Sequence, residues 1–224
     1  MSFLTHLFRS SLGQKFVMAV SGLALFAFVI GHMLGNLQIF LGPGPLNAYG
    51  DFLKSKPGLL WAVRLGLLTM LILHILTSIQ LTRQNRAARP VGYENSKPPA
   101  ASYASRTLFM SGLIIFAFLI YHLMQFTLGV TNPEYLRLED AQGRHDVYRM
   151  SVLGFSQPAV SFFYIFAMGL LCLHLSHGAS SWVQSLGWRS KNWTFIDRFA
   201  KTAALLIFIG NCSIPLAILT KLVR

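Results

Sequence analysis

Five histidines, His32, His74, His122, His174 and His177, stand inside long apolar stretches. An imidazole there costs free energy unless it finds a partner, and a hydrogen bond between helices would account for any single one. Four of them share a further property. His32 and His74 lie sixteen residues after Phe16 and Gly58, His122 fifteen after Thr107 and His174 sixteen after Pro158, which are the starts of four apolar stretches. Consecutive spans run in opposite directions, so equal offsets put His32 and His122 toward one side and His74 and His174 toward the other. At about 1.5 Å per residue the two layers stand about 12 Å apart along the membrane normal. Two imidazoles at one depth on different helices can ligate a metal ion, or a haem iron from both faces.

The surroundings favour the second chemistry. A site for a bare metal ion usually adds carboxylate or thiolate ligands, and no Asp or Glu falls inside the apolar stretches. Haem asks for two neutral imidazoles, an apolar pocket and small residues where the macrocycle passes a helix. Gly22 and Gly112 sit near the inner layer's depth on helices whose own histidines serve the outer layer, and Gly31 and Gly35 flank His32. A short internal repeat accompanies them. Ser21-Gly22-Leu23 precedes His32 as Ser111-Gly112-Leu113 precedes His122, with serine eleven residues before histidine in both. Eleven residues are close to three turns, which puts each serine on the face of its own helix's histidine. His177 shares a face with His174 one turn on, and is assigned a hydrogen bond to a propionate, to a quinone or at the helix end. Arg64, ten residues before His74, is expected either to pair with a propionate of the outer haem or to snorkel to the interface.

The elements that must position these residues follow from composition. Of the 224 residues 54% are hydrophobic and 12% charged, so lipid is the solvent for most of the chain. Five apolar stretches, residues 16–41, 58–81, 107–130, 158–183 and 199–222, are each long enough to span a bilayer. The expectation is an all-α membrane protein forming one integral domain, with four histidine-bearing helices in a bundle and a fifth beside it. The basic lead with Arg9 and Lys15 resembles the start of a signal peptide, but the first stretch is too long and is read as a retained span. Cys172 and Cys212 form neither CxxC nor CxxCH and are read as core residues. Gly42-Pro43-Gly44-Pro45 breaks the chain before a short amphipathic piece, Leu46 to Ser55, expected at the outer interface. The connection 82–106, with Arg-Pro and Lys-Pro-Pro elements, is expected to run extended over the surface, and 131–157 to form a solvated cap.

A formal charge of +12 would suggest nucleic acid in a soluble protein; here the bases cluster in connections and report orientation. With the N-terminus cytoplasmic, the inner segments hold eleven bases and two acids, and the outer segments eight bases and five acids. No nucleic-acid partner is expected.

Five spans, one ligand-type histidine in each of the first four, Gly31-His32-Met33-Leu34-Gly35-Asn36, the two Ser-Gly pairs and Leu173-His174-Leu175-Ser176-His177-Gly178 together resemble the di-haem cytochrome b membrane anchor of succinate dehydrogenases and fumarate reductases. The resemblance covers nearly the whole chain. It implies two haem b groups, with His74 and His174 holding the proximal one and His32 and His122 the distal one. It also implies cytoplasmic flavoprotein and iron–sulfur subunits as partners, a membrane quinone as substrate and a bacterial cytoplasmic membrane as location. A carboxylate near the distal haem would serve the quinone, and Asp51 is the nearest candidate. The competing expectations are the cytochrome b subunit of a hydrogenase or formate dehydrogenase and, from another class, a histidine-lined proton or metal transporter.

Overall fold

The structure, a computed structural model, describes residues 8–88, 103–185 and 193–224. Among the described residues five helices are long and apolar enough to cross a membrane. They are α1 (Ser11–Asn36), α3 (Pro57–Ala87), α4 (Tyr103–Phe126), α6 (Pro158–Ser185) and α7 (Trp193–Leu219), joined by the short helices α2 (Pro43–Lys54) and α5 (Val147–Phe155). Local chemistry sets several of the starts. Ser10 caps α1 by accepting the Gly13 N–H at 3.0 Å, and Pro43 and Pro57 open α2 and α3, where a missing N–H costs nothing.

Several helix ends depart from the apolar stretches. The α-helix of α1 stops at Asn36 and tightens into a 3₁₀ turn over Leu37–Leu41. α3 runs six residues past the expected 81, so Arg83 and Arg86 are helical and exposed. The first part of the expected extended connection 82–106 is therefore helix, as are its last four residues; the Pro-containing remainder lies outside the described residues. α4 stops at Phe126 and not at Val130, because Thr127 and Leu128 both donate to the Leu123 carbonyl, at 3.0 and 2.8 Å, and Gly129 takes φ +63°. α7 begins ahead of the expected residue 199 and ends at Leu219, which brings Asp197 into its first turns, paired with Lys201 at 2.6 Å.

The surface is that of a protein in an apolar solvent. Leu12, Leu59, Phe162, Phe199 and Leu206 are exposed, whereas the largest fully buried side chains, Gln125, Asn47, Thr77, Ser21 and Ser161, are all polar. Each of these five is hydrogen-bonded, as burial of a polar group demands. α1 packs along α3 and α6, and α6 along α4 and α7. The four histidine-bearing helices thus form a square taken in the order α1, α3, α4, α6, with three sides packed and the α3–α4 side without comparable contact. α7 lies outside it, mainly on α6. α3 is held least: of its 31 residues only Thr77 is buried.

The connection 131–157 is more than a solvated cap. Tyr135, Met150 and Phe155 are buried, and α5 packs on α2. Asn47 of α2 ties the two together by donating to Asp140 and Asp146 at 3.3 and 3.0 Å and accepting the Tyr148 N–H at 2.9 Å. Asp140 is bound in turn by Arg144 at 2.7 Å.

Candidate functional site: two histidine pairs

The four histidines meet across the two diagonals of the square. His32 of α1 faces His122 of α4 with ring centres 5.8 Å apart, and His74 of α3 faces His174 of α6 at 6.4 Å. Two imidazoles on one metal, with bonds of about 2 Å and a ring nitrogen about 1.1 Å from the ring centre for C–N bonds of about 1.33 Å, stand with their centres about 6 Å apart. Both pairs have that spacing.

The depth of each pair can be read from its neighbours. A Cβ on Gly22 of α1 would lie 3.2 Å from His74 Cε1, and one on Gly112 of α4 would lie 3.5 Å from His174 Cε1. His32 and His122 come ten residues later on those same helices, which separates the tiers by about 15 Å along either axis, against about 12 Å expected from offsets alone.

The internal repeat acquires a different meaning. The spacing puts Ser21 on the face of His32 and Ser111 on that of His122. Ser21 Oγ lies 3.3 Å from His74 Nδ1, and Ser111 Oγ 3.4 Å from His174 Nδ1. Each Ser-Gly pair supports a histidine of the neighbouring helix: the serine meets Nδ1 and the glycine makes room for Cε1. Gly22 and Gly112 each lie beside an imidazole of the neighbouring helix.

Three residues to which sequence reasoning gave no role complete the His32–His122 tier. Tyr164 OH lies 3.3 Å from His122 Nδ1 and donates at 2.8 Å to the buried Gln125 Oε1. Asn36 Nδ2 lies 3.1 Å from His32 Nε2, so His32 alone has its outermost nitrogen engaged by a neighbour. The signal for Tyr164 was its place ten residues before His174, the same interval that separates Gly22 from His32 and Gly112 from His122.

The remaining candidates stand apart from the pairs. Arg64, ten residues before His74, is exposed and lies over the Trp61 ring at 5.2 Å. His177 Nε2 meets Ser181 Oγ of its own helix at 3.0 Å. Asp51 is exposed on α2, near Lys54. Gly35 receives the Tyr49 ring, and a Cβ on Gly31 would meet open space.

Among the described residues no group of three or more His, Cys, Asp or Glu side chains is placed to hold a metal ion. Each pair therefore offers two protein ligands, the number that axial ligation of a planar macrocycle takes and fewer than the three or four of a zinc site. Comparison with known families, with curated proteins and with solved structures finds no match.

Proposed function

We propose that this chain is the di-haem membrane anchor of a succinate:quinone oxidoreductase, carrying electrons between an iron–sulfur subunit on the cytoplasmic side and a membrane quinone. The observation that carries the reading is the pair of imidazole diagonals, each with the spacing of two ligands on one metal and lying about 15 Å apart along the same helices. His74 and His174 would hold the inner haem b and His32 and His122 the outer one. The groups supply one-electron chemistry when bound; the protein supplies binding, orientation and a dry surrounding. The loosely held α3 supports the reading, since a macrocycle across each diagonal would fill the space that α3 leaves toward α4 and α6. For His32 to ligate through Nε2, the Asn36 amide has to give way. Exposed Lys15, Arg83 and Arg86 make the inner surface basic, which suits docking of an acidic subunit.

The test is a reduced-minus-oxidised spectrum of the purified chain with single histidine variants. Two b-type components are expected, one lost in His74→Ala and in His174→Ala, the other in His32→Ala and in His122→Ala. A colourless chain, or loss of the same component from His32→Ala and His74→Ala, overturns the reading. Copurification with a flavoprotein that oxidises succinate distinguishes this complex from a hydrogenase or formate dehydrogenase.

A further inference from the structure

A histidine can ligate through Nε2 only when its proton is on Nδ1, and the free ring has no need to choose that form. The hydrogen bonds around three of the four histidines make the choice for them. Ser21 Oγ lies 2.7 Å from the Val17 carbonyl and 3.2 Å from that of Met18, both of which can only accept. Its hydroxyl proton is thereby committed, since the 2.7 Å contact is far shorter than the 3.3 Å to His74 Nδ1. The serine oxygen is left to accept, so Nδ1 must carry the proton.

The arrangement recurs twice. Ser111 donates to the Leu108 carbonyl at 3.1 Å and faces His174 Nδ1 at 3.4 Å. Tyr164 spends its proton on Gln125 at 2.8 Å and so accepts from His122 Nδ1. The donor is different, a phenol where the others are serines, but the logic of a hydroxyl with its proton already given away is the same. Among the described residues, His32 is the one of the four without such a partner.

We propose that Ser21, Ser111 and Tyr164 are positioning residues that hold His74, His174 and His122 as the Nδ1–H tautomer, leaving Nε2 of each free as the metal-ligating nitrogen. The inference rests on the haem reading for its purpose, but the tautomers are a property of the chain itself. Both inner ligands are set in advance, whereas the outer tier has one set ligand and one, His32, restrained by Asn36.

Two measurements on the full chain in lipid nanodiscs test this. In the haem-free chain labelled with ¹⁵N-histidine, the nitrogen shifts of His74, His174 and His122 report Nδ1–H, and Ser21→Ala moves His74 toward the Nε2–H form. Ser21→Thr, which keeps a hydroxyl, restores it. In the haem-loaded chain, Ser21→Ala or Ser111→Ala weakens retention of the inner haem by about tenfold, the size of effect seen when such outer partners are removed. Loss of the hydrogen bond also makes the imidazole less electron-rich, so the midpoint potential of that component rises while the outer one stays unchanged. Tyr164→Phe produces the same changes in the outer component alone. Nε2–H tautomers in the parent chain, or alanine variants with unaltered tautomer, retention and potential, overturn the proposal. Nδ1–H tautomers in a chain that takes up no haem overturn the functional reading and leave the tautomer assignment standing.

Discussion

The two small-residue positions beside the inner pair are distinguishable by a few tenths of an ångström, which makes them a sharp probe of what they are for. An alanine Cβ at position 22 would sit 3.2 Å from His74 Cε1, inside ordinary contact distance, whereas at position 112 it would sit 3.5 Å from His174 Cε1, within it. In Gly22→Ala the imidazole has to move away, and its 3.3 Å bond to Ser21 is already long enough that such a shift removes it. The loss of that bond costs about 1 kcal/mol, set against a gain of up to about 1 kcal/mol from the better helix former. Thermal stability of the haem-free chain should therefore hardly change. If the proposed haem reading holds, the inner haem component should broaden and shift in potential in Gly22→Ala, and remain native in Gly112→Ala. Redox titration followed in the difference spectrum reads both, with the outer component as internal control. If Gly112→Ala abolishes the inner component, the reasoning is wrong: the glycine then makes room for a macrocycle and not for the imidazole.

The 131–157 cap offers two further checks. Asn47→Ala removes three hydrogen bonds at a fully buried position and leaves the Tyr148 N–H without its acceptor, so it should destabilise the 131–157 segment by about 2–3 kcal/mol; limited proteolysis of that segment at increasing denaturant measures it, and unchanged protection would refute the assignment. Desolvation pushes the Asp140 carboxyl up, but hydrogen bonds from the Arg144 side chain and backbone, the Gln142 backbone and Asn47 outweigh it and hold its pKa down to about 2, below the ordinary 3.8. A folded value below the unfolded one means that the stability this group contributes is complete above pH 3.8 and is lost as the pH falls toward 2. Asp140→Asn should flatten the acid limb of the cap's unfolding profile, and a limb of the same slope in both proteins would count against it.

Hydropathy located the five long helices because their apolar runs exceed what a soluble core helix needs, and it failed at their ends for identifiable reasons. Leu128 and Val130 continue the apolar run past the point where Gly129 has already turned the chain, so composition placed the third span four residues too far. At α3 the error was opposite, since Arg83 and Arg86 are polar yet helical. The matched offsets identified which histidines pair, because depth depends only on residue count. What the count could not reach was the side-chain layer around them. Ser21 and His32 do lie about three turns apart on one helix, but the partner of each is on another helix, and the choice between neighbours depends on how α1 and α3 pack. The repeat was visible; its function required two helices side by side.

Each diagonal takes one ring from the α1–α3 hairpin and one from the α4–α6 hairpin, while the serine beside each inner ring comes from that ring's own hairpin. Neither half of the molecule can assemble a complete site alone, and both sites appear together only when the halves close. A ligand bound across both diagonals would act as a double clasp on the poorly sealed α3–α4 seam, and its binding would stabilise the bundle by mass action.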